Sequence, residues 1–591
     1  MPNTSIFLAP KPRQSFLKTR QQFWRILKAF FSSERRGKAG FYAGLLFVLS
    51  LASSVGVTLL TSYALRDVMT SIENKNYGAF RMSFARYFGA LAISVVINAY
   101  FRWAEQSLAL LWREWMSLHL VKRYFNNRAY YRLRGSESID NPDQRISEDV
   151  RNFTADSLSY ALMAVDSVMT LCTLLGVLWA ISGKLLAVAV IYALGGTGLC
   201  VYIGRRLVRM HYDKYQKEAD FRYGLVRVRD NAESIAFYRG EKREHLDLFK
   251  RLTAVVTNMR GIINWNRRLA FFRNSYSNIA LLLPVFLVAP MFMEGRVKFG
   301  VVTQSLDAFA QVLGAISLIT NNFEGLSSYL AGIQRLGTLW EDLDDFDAEE
   351  ERIARESTQQ LDEKSHQVKL DKLSVRTPDG MQTLVRELTF QLGLSQGLII
   401  MGASGTGKSS VLRTIAGLWQ GSAGLLERPA LPELMFLPQR PYMVPGSLRD
   451  QFLYPYTERG VTDERILEVV KKVNLADVLV RVNGDLDRVI DWTNVLSLGE
   501  QQRVAFARLF VRKPKFVFLD EATSALDEEN QTLLYQLILD SGIGFISVGH
   551  RTTLVPFHHH VLQLKRSGAW ELKPRPELVV VEAAGEEAAA A

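Results

Sequence analysis

Leu398-Ile399-Ile400-Met401 runs directly into Gly402-Ala403-Ser404-Gly405-Thr406-Gly407-Lys408-Ser409-Ser410, and the reading of this stretch decides the fold of the second half of the chain. Four apolar residues make a short buried strand, the glycines make a turn, and a helix begins at Lys408. In such a loop the glycines let main-chain N–H groups close around phosphates. Lys408 reaches the β and γ phosphates, the Ser409 hydroxyl ligates Mg²⁺, and the helix presents the positive end of its dipole. Gly402, Ser404, Gly405, Thr406, Gly407, Lys408, Ser409 and Ser410 are therefore the candidate nucleotide contacts. A turn with a purely structural role needs no lysine at that point, so the P-loop reading is preferred.

Downstream, Phe516 to Leu519 is a second buried strand, and it ends in Asp520 and Glu521. A carboxylate at a strand end can hold Mg²⁺, and its neighbour can polarise an attacking water. Asp520 is thus the candidate metal ligand and Glu521 the candidate catalytic residue. An isolated dyad reads as readily as a solvated pair, but behind a P-loop it reads as a site. From Val368 to residue 572 short apolar strands, Gly-rich turns and soluble-type helices follow one another, the pattern of an α/β P-loop ATPase domain. Residues 573–591 end in Ala and Glu repeats and read as a disordered tail.

Upstream the character changes. The chain has 591 residues, 48% of them hydrophobic, and a mean hydropathy of +0.02, more apolar than an ordinary soluble domain. A helix needs about 20 apolar residues to cross the hydrocarbon layer. Six stretches qualify: Ala39 to Leu65, Tyr87 to Leu108, Leu158 to Ile181, Leu185 to Ile203, Tyr276 to Met293 and Val301 to Phe323. Residues 39–340 are accordingly expected to form an α-helical six-span membrane domain. The intervening segments Arg113 to Arg151 and Arg205 to Arg268 are long and basic, so the positive-inside rule makes them cytoplasmic loops, with the N-terminus on the same side. The net charge of +11 lies beside apolar stretches, as at a membrane surface, and does not point to nucleic acid. Cys172 and Cys200 sit inside apolar runs and imply neither a disulfide framework nor a metal site.

Residues 1–38 are basic and lack the apolar core of a cleaved secretory signal, which leaves an organelle transit peptide as the other reading. Within them Phe23, Ile26, Leu27, Phe30 and Phe31 recur at helical spacing with Arg20, Arg25 and Lys28 between. That pattern suits an interfacial helix on the inner membrane surface or an amphipathic helix packed on protein. Residues 341–367 open with the acidic run Glu341 to Glu351 and read as a solvated helix or linker. In the sixth span Gln304, Asp307, Gln311, Gly314 and Asn321 share one helix face. An acid at mid-membrane costs about 2.5 to 3.5 kcal/mol, so Asp307, and Asp166 in the third span, should face water or a partner. Gln304, Asp307, Gln311 and Asp166 are the candidate cargo path, with a structural polar seam as the alternative.

At Leu496-Ser497-Leu498-Gly499-Glu500-Gln501-Gln502-Arg503 the chain resembles the ABC ATPases, matching their signature motif apart from Leu498 where Gly is more usual. Gln439 resembles their Q-loop glutamine, Ser524 to Asp527 their D-loop and His550 their switch histidine. His558, His559 and His560 are left as core or surface residues. The resemblance implies ATP as the nucleotide, Gln439 beside Ser409 and Asp520 on Mg²⁺, and His550 beside Glu521 in catalysis. Ser497, Gly499, Glu500 and Asp527 become nucleotide contacts by the same resemblance. It also implies a second identical chain, because in this family ATP lies between the P-loop of one domain and the signature of another. A C₂ homodimer completes two such sites, both keeping Glu521. Leu373 to Pro378 lacks the aromatic residue on which the family commonly stacks adenine, so the choice between ATP and GTP is not fixed.

Six spans followed by one ATPase domain resemble the exporter-type ABC membrane fold, whose two long cytoplasmic loops reach the ATPases. Asp140-Asn141-Pro142-Asp143-Gln144-Arg145-Ile146, the segment Asn231 to Glu241 and the segment Phe436 to Arg449 are similar to subfamily D. That group includes peroxisomal acyl-CoA transporters, the lysosomal cobalamin transporter and bacterial uptake systems for cobalamin and hydrophilic peptides. The expectation is an ATP hydrolase coupled to transport, seated in the lipid bilayer of a bacterial inner membrane or, alternatively, an organelle. Its cargo is a small molecule or peptide: uptake of bulky hydrophilic solutes is preferred, with export or acyl-CoA transport second. An ATP-gated channel has no need of Glu521, and a merely tethered ATPase has no need of a polar sixth span.

Overall fold

A helix that is apolar on every face can be buried only against other helices or lipid, and among the described residues six helical segments are long and apolar enough to cross a bilayer. The computed structural model describes residues 16–134, 141–316, 322–356, 359–377, 382–419, 423–456 and 460–575. It divides into two units, Met1–Glu350 and Glu351–Ala591. The spans lie within Arg36–Glu73, Tyr77–Leu133, Pro142–Ile181, Gly183–Asp230, Glu241–Met293 and Phe299–Ile316. Asn321, expected near the end of the sixth span, lies outside the described residues.

The two long segments expected as loops are largely helix. Tyr77–Phe125 has 49 residues, Gly183–Asp230 has 48 and Glu241–Met293 has 53. At 1.5 Å per residue each is about 70 to 80 Å long, more than twice the hydrocarbon thickness. Hydropathy sees only the part of such a helix that meets lipid, so the basic extensions read as loops. The turn between the fourth and fifth spans holds one short helix, Ala232–Tyr238, closed by Arg239 in the left-handed region at φ +53°.

The N-terminal helix Phe16–Phe31 packs one face on protein, the second of its two expected settings, while Leu17, Trp24 and Phe31 stay exposed. Ile26 and Phe30 are buried in a core with Trp112, Phe153, Ile333 and Leu336, and Phe30 stacks on Trp112 at 5.3 Å. Its basic face meets the acidic run from the opposite end of the unit: Lys18 pairs with Glu341 at 3.0 Å and Arg25 with Asp344 at 2.5 Å. Arg123 reaches Asp344 and Asp347 at 2.6 and 2.8 Å. The run expected as a solvated helix or linker is the end of a helix, Phe323–Glu356, with Glu341, Asp344 and Asp347 paired within the unit.

In the second unit strands begin at Gln359, earlier than residue 368, and the last strand runs to Pro574, past residue 572. One sheet has the order β1-β5-β2-β3, with β1 Gln359–Asp362, β2 Lys364–Arg376, β3 Thr383–Leu392 and β5 Ala423–Pro429. The central sheet has the order β12-β11-β4-β10-β9-β6, with β4 Gly397–Gly402, β6 Leu434–Leu437, β9 Phe516–Asp520, β10 Gly544–Val548, β11 His560–Leu564 and β12 Trp570–Pro574. All its pairs are parallel except β11 with β12, and a separate ribbon pairs β7 Gly446–Ser447 with β8 Val489–Ile490. Parallel strands are buried on both faces, and alternate residues go to opposite cores. Ile399, Val517, Leu519 and Phe545 join the helical core. Leu398, Ile400, Phe516, Phe518, Ile546 and Val548 join the core beneath the smaller sheet.

Gly300, at the start of the sixth-span helix, marks its closest approach to the first span: a Cβ there would stand 2.0 Å from the Arg66 carbonyl oxygen. A side chain at position 300 must push the two helices apart, a strain of about 1 to 3 kcal/mol. Gly300→Val should lower the thermal midpoint of the detergent-solubilised protein by several degrees, whereas Gly314→Ala, with nothing within 4 Å of its Cβ and the better helix former in place, should not lower it. Equal midpoints for the two variants would refute the close approach.

Candidate functional site

In a parallel sheet ligands bind beyond the carboxyl ends of the strands, and here three neighbouring strands, β4, β10 and β9, end in the residues that matter. Beyond β4 the chain turns at Gly402, whose φ of +151° favours glycine and whose Cβ would stand 2.6 Å from the Leu564 carbonyl oxygen. Gly407, at φ +92°, lets the loop pass over Leu384 before the helix Lys408–Ile415 begins. Thr406 ties the loop through its hydroxyl to the Ala403 carbonyl at 2.9 Å. Lys408 Nζ donates to the carbonyls of Gly402 and Ala403 at 2.9 and 3.0 Å. The cation is thus held over its own loop, where a phosphate tail would meet it.

The Ser409 hydroxyl donates to Asp520 Oδ1 at 2.8 Å, which joins the first turn of the P-loop helix to the end of β9. Glu521 follows in the left-handed region at φ +50°. Such a backbone in a non-glycine residue costs on the order of 1 to 3 kcal/mol and persists only where the surroundings impose it. Its N–H donates to the Val548 carbonyl at 3.1 Å, and its Oε2 accepts from Gln439 Nε2 at 3.1 Å. His550 Nδ1 stands 4.0 Å from Glu521 Oε1. Five residues expected at the site, Ser409, Gln439, Asp520, Glu521 and His550, are therefore brought together. Among the described residues no cluster of three His, Cys, Asp or Glu side chains could hold a metal.

The signature residues are organised differently from the expectation. Ser497 caps the helix Leu498–Arg512, and Glu500 closes a capping box by accepting from the Ser497 N–H at 2.9 Å and hydroxyl at 3.0 Å. Glu500 is buried and pairs with Arg481 at 2.5 Å. Burial raises its pKa, but Arg481 and the two Ser497 donors outweigh burial and leave it below the usual value. Glu500, expected as a nucleotide contact, supports Ser497 within the chain. Asp527 likewise caps the helix Glu528–Ser541, accepting from the Asn530 N–H at 2.8 Å. A Cβ on Gly499 would stand 3.1 Å from the Ala525 carbonyl, so the glycine makes room for the D-loop. Sequence reasoning missed Arg481 and also Arg551, whose guanidinium donates to the Ser524 and Leu526 carbonyls at 2.9 and 3.2 Å. Its position directly after His550 was the available signal.

Behind the site, β10 is held by a buried polar chain. His558 Nε2 is 2.7 Å from Ser547 Oγ and its Nδ1 is 2.7 Å from the Leu554 carbonyl, while the Tyr535 hydroxyl reaches the same Ser547 at 3.1 Å. Burial pushes the His558 pKa down to about 4 against a partial rise from the Leu554 bond.

In the membrane unit the polar face of the sixth span divides. Gln304 is 2% exposed and donates to Ser62 Oγ at 3.1 Å, so it belongs to a packed seam and leaves the candidate cargo path. One turn earlier, Gly300 lets the same two helices approach closely. Asp307 and Gln311 are half-buried and bonded to each other at 2.7 Å. Asp166 is exposed and accepts from Ser54, which lies in a π-helical turn, Ala52–Val57, of the first span.

Two family models match the chain: one described as ABC transporter transmembrane region 2 over residues 26–293, and one described as ABC transporter over residues 385–524. An uncharacterized ABC transporter ATP-binding protein of Synechocystis sp. is 41% identical across 90% of this chain and 81% of its own. The chloroplastic ABC transporter D family member 2 of Arabidopsis thaliana is 35% identical across 94% of this chain and 88% of its own. The lysosomal cobalamin transporter of Homo sapiens is 32% identical across 93% and 96% respectively.

The buried histidine carries a pH dependence. An unfolded chain takes up the His558 proton near pH 6.5, whereas the fold refuses it until about pH 4. Its neutral state therefore supports stability above pH 6.5, and about 3 kcal/mol is lost as pH falls across that window. Unfolding of the full-length protein between about pH 7 and about pH 4.5 should be steeper in wild type than in His558→Gln. Parallel curves would contradict the buried neutral imidazole.

Proposed function

The chain belongs to the ABC transporters as a half-transporter of D type, and from that premise we propose that two copies form a C₂ dimer driving uptake of bulky hydrophilic solutes. Hydrolysis is supported by the geometry around Glu521, whose carboxylate is held by Gln439 beside the Ser409 and Asp520 pair. A carboxylate so placed can orient a water and take its proton. Ser409, Asp520 and Gln439 supply hard oxygen donors in a number too small for a protein-only cage, which suits Mg²⁺ held jointly with phosphate oxygens. The ion, when bound, neutralises charge on the phosphates. Lys408 and the P-loop N–H groups bind the same phosphates in the ground state.

The cargo class rests on one observation, the Asp307 and Gln311 pair on a half-buried face of the sixth span. An acid in a membrane helix needs water or polar partners, and this face offers hydrogen bonds rather than an apolar slot for an acyl chain. The relative named as a cobalamin transporter fits the same class. The proposed setting is a bacterial inner membrane with the ATPase unit and N-terminus in the cytoplasm.

Glu521→Gln should reduce ATP hydrolysis by at least about a hundredfold while ATP binding survives, and Lys408→Ala should instead weaken binding. Steady hydrolysis by Glu521→Gln would remove the catalytic assignment. In proteoliposomes with the ATPase units outward, added ATP should drain cobalamin or peptide from the lumen; ATP-driven filling would reverse the direction, and a response to acyl-CoA alone would replace the cargo class. In a background without Cys172 and Cys200, cysteines at Asp307 and Gln311 should react with a water-soluble thiol reagent in at least one nucleotide state, and a cysteine at Gln304 should stay protected. Protection of all three in every state would reject the aqueous path.

A further inference from the structure

Inside the signature helix lies a buried amide that the nucleotide site as described does not use. Gln502 is 0% exposed. Its Nε2 donates to the Gln439 main-chain carbonyl at 2.9 Å and to Ser524 Oγ at 3.3 Å, and its Oε1 accepts from the Ala525 N–H at 3.1 Å. Both N–H groups and the oxygen are thus engaged, and an unsatisfied buried amide costs about 1 to 3 kcal/mol, so the contacts are kept or lost together.

The partners are what give this residue a role. Gln439 holds Glu521 through its side chain while Gln502 holds its backbone. Ser524 follows Glu521 closely, its N–H donating to the Glu521 carbonyl at 3.0 Å. On the other side Arg551, next to His550, grips the carbonyls of Ser524 and Leu526. The D-loop is therefore clamped between the signature helix and the residue after the switch histidine. Ser497 caps the same helix five residues before Gln502, a rigid separation of about 7.5 Å.

We propose that Gln502 is a positioning residue that ties the signature end of one chain to Glu521 of the same chain, so that nucleotide bound against Ser497 in one site sets the water-holding carboxylate of the other. This rests on the two-copy reading, in which Ser497 serves the partner's nucleotide and Gln439 and Glu521 serve the chain's own. A shift of the signature helix on ATP must carry Gln502, and Gln502 carries the Q-loop backbone and the D-loop with it. Hydrolysis is then cooperative between the two sites, and cooperativity depends on the amide.

The test is steady-state hydrolysis against ATP concentration for the full-length chain in nanodiscs, with the number of chains per disc counted. Wild type should be paired, with a Hill coefficient above 1. Gln502→Met keeps the bulk and removes all three bonds: kcat should fall about tenfold or more, KM should change less than about threefold, and the Hill coefficient should fall to 1. Gln502→Glu keeps the acceptor for Ala525 but sets a carboxylate against the Gln439 carbonyl, and should behave like Gln502→Met. Ser524→Ala removes a single contact from a partly exposed loop without touching the core, and should give an intermediate Hill coefficient. An unchanged Hill coefficient in Ser524→Ala and in whichever Gln502 variant folds would overturn the inference. So would a paired wild type without cooperativity. A wild type that hydrolyses as a single chain would instead defeat the two-copy reading.

Discussion

A triphosphate can be held in a protein only where main-chain N–H groups, a cation and oxygen donors converge, and here that convergence depends on three parallel strands lying side by side. β4 delivers the P-loop, β9 delivers Asp520 and Glu521, and β10 delivers His550. The register that pairs Val548 with Asp520 and with Ile400 sets the three ends level. The Ser409 bond to Asp520 and the Glu521 N–H bond to Val548 then close the strand ends into one site. The left-handed backbone at Glu521 is imposed by these neighbours, and its strain is offset by the two apolar cores on either face of the sheet.

Much of this was legible in the chain because the chemistry is local. A glycine-rich loop between an apolar run and a helix has few other uses, and an acidic pair at the end of a second apolar run acquires meaning from the first. The bonds that Glu500 and Asp527 make within the chain were not legible, since a motif names residues without saying what else a side chain holds. Both serve in caps, because an unmet N–H at a helix start competes for the nearest carboxylate. Arg481 and Arg551 were invisible for a related reason: an arginine in a soluble helix or turn reads as surface until its partner is known.

The membrane unit shows the same limit on a larger scale. Apolar length located six spans, but hydropathy says nothing about helix that has left the lipid, so the basic extensions of the second, fourth and fifth spans read as loops. The acidic run after the sixth span read as solvated because its basic partners, Lys18, Arg25 and Arg123, lie more than two hundred residues away in sequence. Gln304 and Gln311 fall on one face by helical spacing, yet Gln304 is sealed against Ser62 of the first span while Gln311 is half-buried. Periodicity gives a face; the residue opposite decides whether the face is wet.

The central claim is that each ATP site is completed by a second copy, with the P-loop of one chain meeting Ser497 of the other. Mixed dimers of a Lys408→Ala chain and a Ser497→Ala chain test it most directly. If the sites are shared, the mixed dimer contains one site with both defects and one with neither, and it should hydrolyse ATP measurably above either variant alone, though below wild type because the intact site has lost the coupling through Gln502 from its defective neighbour. No activity in the mixed dimer above that of the two variants alone would contradict the account, because it would mean that each chain carries its whole site.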